Sequence, residues 1–184
     1  MIRIQNYKYT DYQKEIKQLY ESTFPQNERF DFNILKSCDN DSDVHLSAIL
    51  EDDIFVGMQF TINYPNDITY LMYFAIDEQY RNNGIGSKAL QKLVVSKDNV
   101  LLCIEKPIDE ITQRRKEFYL RNGFFETHTF IEDTGVMYEI LTSCRNYIPT
   151  SQDLYNRYRC MTTNNSIWIK IEKLFSTSIV LIHD

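Results

Sequence analysis

Glycine and proline are scarce in this 184-residue chain, with five and four residues, and 43% of it is hydrophobic, a composition that argues against disorder. The four cysteines, Cys38, Cys103, Cys144 and Cys160, form no C-x-x-C pair, so neither a zinc site nor a disulfide framework is suggested. They are expected to be reduced; Cys103, inside the apolar run 100–104, reads as an inert thiol in a fully buried strand. His45, His128 and His183 share no ligand spacing, and no metal site is evident. The amino terminus has no apolar core suited to a signal peptide, and no run approaches the roughly 20 residues of a membrane span. The expectation is a cytoplasmic protein without a membrane role. A basic excess is absent too: the net charge of −6 disfavours nucleic acid and membrane surfaces and mildly favours a cationic amine as substrate. There is no G-x-x-x-x-G-K-[ST] and no three-glycine G-x-G-x-x-G, which removes the kinase and dinucleotide readings. No Ser-His-Asp or Cys-His arrangement supports a thioester hydrolase.

What is present is concentrated in residues 71–95. There an apolar strand runs into Arg81-Asn82-Asn83-Gly84-Ile85-Gly86-Ser87 and directly into a helix. Glycine permits tight or left-handed turns and close backbone approach, so amide N–H groups converge at the positive end of the helix dipole. Arg81 adds a fixed charge, and a pyrophosphate is the natural ligand. Lys88, in the first helical turn, either reaches a phosphate or is solvated.

This segment resembles the R/Q-x-x-G-x-G/A signature of the GNAT superfamily of acyl-CoA N-acyltransferases, preceded by a strand ending in Phe74-Ala75-Ile76. A second stretch, Lys116 to Phe124, resembles the other family hallmark, a helix ending in Phe118-Tyr119 with Gly123-Phe124 after it. The two occur in the family's order with an apolar strand between them, and together they make a strong joint signal.

Periodicity supplies the elements. Ile2 to Asn6 alternate as a strand; Thr10 or Asp11 caps a helix reaching Phe24, where Pro25 stops it; Asp31 caps a short second helix. Residues 44–50, 54–64 and 68–76 read as strands joined by turns at 51–53 and 65–67. After the glycine loop come a helix, a strand at 100–105, a helix capped by Asp109 or Thr112 and ended by Gly123, and a hairpin of 125–131 with 136–141. The fold class is α/β (α+β), and the resemblance implies a mixed, mostly antiparallel central sheet of about seven strands, helices on both faces and a split between the fourth and fifth strands. Residues 1–141 form the acetyltransferase-like domain. Residues 142–184, with a helix expected near 151–159 and an apolar-rich stretch at 167–175, are an extension packing on that core or on a partner in a homodimer.

The resemblance also implies roles. Acetyl-CoA is the co-substrate, held by Phe74, Ala75 and Ile76 through its pantetheine and by Arg81, Asn82, Asn83, Gly84, Ile85, Gly86 and Ser87 through its pyrophosphate. Tyr119 matches the tyrosine that acts as general acid near the thioester sulfur. Glu105, just past the fifth strand, and Glu28, in the loop between the first two helices, are the candidates for general base, each with a solvated or salt-bridged role as the alternative. Asp77 and Glu78 complete the turn before the loop. An asparagine that often contacts the cofactor near the start of the later helix is missing, with Thr112 or Gln113 as substitutes. The function expected is direct transfer of acetyl to a primary amine, on a small molecule rather than a protein. The alternative is a non-catalytic acyl-CoA-binding sensor.

Overall fold

Strand periodicity interrupted by four α-helices builds the elements in order: β1 (Ile2–Asn6), α1 (Gln13–Thr23), α2 (Phe32–Cys38), β2 (Val44–Glu51), β3 (Ile54–Tyr64), β4 (Ile68–Ile76), α3 (Ile85–Val95), β5 (Asn99–Glu105), α4 (Glu110–Arg121), β6 (Phe125–Asp133), β7 (Val136–Thr142) and β8 (Leu181–His183). The computed structural model describes residues 1–26, 28–64, 67–133, 135–150, 153 and 181–183. The sheet is mixed and mostly antiparallel, as the resemblance implied, and β4 and β5 are its parallel pair. The chain divides into two units, Met1–Asn63 with Leu71–Ser96, and Tyr64–Tyr70 with the chain from Lys97 on. Among the described residues no helix is long and apolar enough to cross a membrane.

In the first unit the strand order is β1-β2-β3-β4. One face of this sheet meets α1 and α2 through an aromatic cluster. Tyr73 of β4 lies edge-on to Tyr20 at 5.0 Å and to Phe24 at 4.8 Å, and Tyr20 packs on Phe32 at 5.8 Å. The other face meets α3, whose Ile85 and Ala89 join Ile2, Ile49 and Val56, with Phe74 and Ile76 packed against them. Lys88 and Lys92, on the polar side of α3, hold it in place by bonding the Glu51 carboxylate at 2.8 Å and the Ile2 carbonyl at 3.1 Å.

In the second unit the order is β4-β5-β7-β6-β8. β4 pairs with β5 only over Ile68–Tyr70 against Asn99–Leu101. α4 is tied to the sheet by Lys116, which bonds both oxygens of the buried Glu139 at 2.9 Å and also meets Glu126. Burial pushes the Glu139 carboxyl up, whereas the Lys116 hydrogen bond pulls Glu126 down.

Several expectations need correction. The N-cap of α1 is Tyr12, not Thr10 or Asp11, because the Thr10 hydroxyl accepts from the Tyr12 amide 3.3 Å away and forms its own turn. Cys103 is only half-buried, packed beside Ile131 and Ile140. An unexpected strand, β8, pairs Leu181–His183 with Thr129–Ile131. The helix expected near 151–159 and the apolar stretch 167–175 lie outside the described residues, apart from Asp153.

Candidate active site

The proposed pyrophosphate loop is built from the end of β4 outward. The Asp77 amide donates to the Val56 carbonyl at 2.9 Å, and the Asp77 carboxylate accepts from the Gln79 amide at 3.1 Å, closing a short helical turn over Glu78–Tyr80. The turn-forming role expected of these acids is the one they have. Arg81 then folds back so that its Nε donates to the Ile76 carbonyl at 2.9 Å, clamping the loop to the strand and leaving the rest of its guanidinium exposed. Two residues adopt left-handed backbone, Asn82 at φ 66° and Gly84 at φ 73°. The second left-handed position therefore belongs to Asn82, a residue type that tolerates it, and not to Gly86, which lies inside the first turn of α3.

Gly84 is the N-cap of α3, and that end carries no capping side chain and no acid in its first turn. The amides of Ile85, Gly86 and Ser87 have no acceptor among the described residues; the first helical bond is from the Lys88 amide to the Gly84 carbonyl at 3.0 Å. A Cβ at Gly84 would meet nothing within 4 Å. Unsatisfied amides, the dipole's positive end and open space above the glycine are what a bound phosphate requires, so these residues fit the group.

Phe74, Ala75 and Ile76 form the last stretch of β4. In the first unit β4 is the edge strand, and its pairing with β5 ends at Tyr70. Alternation along the strand turns the Asp77 amide and the Ala75 carbonyl toward β3, and the backbone groups of Phe74 and Ile76 to the other side. Such an edge accepts an extended amide-bearing ligand as an added strand. The sequence reading missed Gly57, which governs this edge. A Cβ at Gly57 would lie 2.4 Å from the Ala75 carbonyl oxygen and 2.9 Å from Ile76 Cδ1, so only glycine allows β3 to approach here. A register shift in the β2–β3 pairing at Ile49/Leu50 marks the same place as a bulge. An isolated glycine in a strand pattern was the available signal.

Tyr119 is set by the end of α4. The Phe124 amide donates to the Tyr119 carbonyl at 3.2 Å and the Gly123 amide to the Leu120 carbonyl at 3.3 Å, with Gly123 at φ 89°. This is a Schellman motif, and its usual apolar contact is the Tyr119–Phe124 ring pair, 5.7 Å between centroids. The Phe-Tyr…Gly-Phe pattern thus has a local cause. Half-buried between Phe118 and Phe124, the phenol is pushed up to about 12, with Arg115 opposing the rise.

Glu105 ends β5, and its carboxylate is bonded to Arg115 of α4 at 3.1 Å. Glu28, half-buried, lies in the α1–α2 loop that two phenols pin: Tyr20 donates to the Phe30 carbonyl at 3.0 Å, and Tyr73 makes a longer 3.4 Å bond to the Glu28 carbonyl. Burial holds the Tyr20 phenol well above its ordinary value, so it remains a donor. The substitutes for the missing asparagine are both engaged elsewhere. Thr112 forms a capping box with Asp109, its amide donating to that carboxylate at 2.8 Å, and Gln113 bonds Glu117 at 3.1 Å. Lys88 is taken up by Glu51. Among the described residues no cluster of His, Cys, Asp or Glu is arranged to hold a metal ion.

No curated protein sequence matches the chain. Solved structures do: a GNAT-family protein from Bacteroides thetaiotaomicron is 22% identical, with TM-score 0.70, over 89% of this chain and 96% of that one. The ribosomal-protein-S18-alanine N-acetyltransferase of Escherichia coli is 15% identical with TM-score 0.59, over 82% and 98%. Arabidopsis thaliana Naa50, solved with the bisubstrate analogue CoA-Ac-MVNAL, is 17% identical with TM-score 0.57, over 78% and 98%. These likenesses establish the fold, and the family follows from the sequence itself: residues 11–124, more than half the chain, match the acetyltransferase (GNAT) family, to which the chain belongs.

Proposed function

We propose that this protein is an acetyl-CoA-dependent N-acetyltransferase that moves acetyl directly onto a primary amine, with a small-molecule acceptor favoured. The observation that carries the reading is the start of α3, uncapped and acid-free behind left-handed Gly84, at the end of a β4 edge open beyond Tyr70. Acetyl-CoA supplies the acyl group. The chain's residues bind its pyrophosphate at Arg81–Ser87 and its amide-bearing arm along Phe74–Ile76.

A lysine-like amine has a pKa of about 10.4, so its nucleophilic form lies roughly 4.6 kcal/mol uphill at neutral pH, and a base or a desolvating wall must help. Glu28 and Glu105 are the candidates, and Glu105 would have to leave Arg115 to act. On the leaving side, Tyr119 at about 12 is protonated at any physiological pH. Because a thiol has a pKa of about 8.5, full transfer from such a phenol to sulfur is uphill. Tyr119 therefore serves as a hydrogen-bond donor to the departing sulfur, which takes its final proton from the amine by way of water.

Calorimetric titration with acetyl-CoA, CoA and ATP tests the donor. An amine panel of small amines and amino-terminal peptides, read by thiol release, tests the acceptor. Acetyl-CoA binding, silence toward ATP and thiol release with one amine class are expected. Binding without release for every amine would turn the reading into an acyl-CoA sensor.

A further inference from the structure

Glu105 and Arg115 join the end of β5 to the middle of α4 in the second unit, and neither is accounted for by holding the cofactor. Their 3.1 Å bond spans a half-buried carboxylate and a half-exposed guanidinium, with side-chain exposures of 28% and 47%. Arg115 precedes Tyr119 by four residues, so the two share a helix face, and side chains on a helix lean toward its start. Its ring neighbours are Phe118 and Phe124, and the Arg115 charge opposes the effect of burial.

We propose that Arg115 is a positioning residue for acyl transfer: clamped by Glu105 on the face of α4 that carries Tyr119 one turn later, its guanidinium strengthens the Tyr119 hydroxyl as a donor to the departing sulfur. The inference rests on the N-acetyltransferase reading. In the reaction the C–N bond forms as the C–S bond breaks, the C–S electron pair goes to sulfur, and the amine's proton reaches sulfur through water. Tyr119 keeps its proton throughout, and a positive charge nearby makes its O–H bond more polar at the moment negative charge collects on sulfur. Glu105 is then the anchor of Arg115 and not the base, since its oxygen is turned to the guanidinium. Lys106, which follows Glu105, stacks its ammonium on the Phe130 ring at 4.6 Å and is directed elsewhere.

The test uses the full chain with 3,5-difluorotyrosine at position 119, a label whose lower pKa brings titration into a range the fold tolerates. The 19F resonance is followed against pH for Arg115, Arg115→Gln and Arg115→Lys. The glutamine variant should titrate about half a unit or more higher, and the lysine variant close to the original. In unlabelled protein, Arg115→Gln should lower kcat roughly tenfold with the KM for acetyl-CoA unchanged, and should cost nothing further in a Tyr119→Phe background. Glu105→Gln should behave like Arg115→Gln, with no added loss in the double variant. An unmoved midpoint, or losses that add in the Tyr119→Phe background, overturns the proposal. A wild type that acetylates no amine overturns the catalytic role along with the functional reading, even where the midpoint moves.

Discussion

The starts of α3 and α4 solve one problem in opposite ways. Every α-helix begins with amides that lack an internal acceptor. At α4 the chain supplies them itself: Asp109 accepts from Thr112, and the Thr112 hydroxyl accepts from the Asp109 amide at 3.1 Å. At α3 it supplies nothing, placing a left-handed glycine where a capping side chain would stand and no acid in the first turn. α1 also lacks a capping side chain, but Glu15 lies in its first turn. A helix start left both uncapped and acid-free leaves its amides open to an external acceptor, whereas a closed capping box uses them for local stability.

The sharpest way to break this contrast is to put an acid where α3 has none. Gly84→Asp or Gly86→Glu should weaken acetyl-CoA binding by about 100-fold or more, read by calorimetry, because the carboxylate competes for the same amides and repels phosphate. Unchanged affinity would remove the pyrophosphate assignment. Next in size, Tyr119→Phe should lower kcat by up to about 100-fold while acetyl-CoA affinity holds, since the ring still packs in its Schellman motif; wild-type turnover would leave Tyr119 a packing residue.

Stability should show the complement, with α4 sensitive and the cofactor site indifferent. Lys116→Met strands the buried Glu139 carboxylate, with 3% of its side chain exposed, and should cost about 3 kcal/mol in denaturant unfolding with the acetyl-CoA Kd unmoved. Gly123→Ala should cost about 1 kcal/mol, and only through its positive φ, because a Cβ there meets nothing within 4 Å. Asp109→Ala should lower Tm least. The hydrogen bonds from Thr112 hold the Asp109 carboxyl below its ordinary value of 3.8, so its stabilisation is complete above that value and fades as pH falls through the lowered one. Thermal melts of wild type and Asp109→Ala should therefore converge in acid; a constant gap would mean the cap acts by some other route.

Much of the fold was legible. The seven expected strands form, and Asp31, Asp109 and Gly123 cap or end their helices, because each rests on spacing within one segment. What escaped reading depends on partners distant in sequence. Gly57 matters only because the Ala75 carbonyl sits against it, and β8 is a strand only because β6 offers an edge. His128 adopts φ 54° inside a register shift of β6 between Glu126 and Phe130, and no alternation pattern announces that. At the site, the loop glycines and Tyr119 were recognisable from local pattern. The engagement of Glu105, Lys88 and Thr112 was not, since each is decided by a neighbour's reach.

The sequence by itself determined the type and order of most helices and strands, which family the chain resembles and which loop carries the glycines that lead into a helix, for these depend on short-range backbone preference and on glycine at chosen positions. Tertiary structure alone decided which charged side chains are already taken. An ion pair such as Glu105–Arg115 is a property of two elements brought together, and its chemistry depends on distance and burial, which no spacing along the chain encodes.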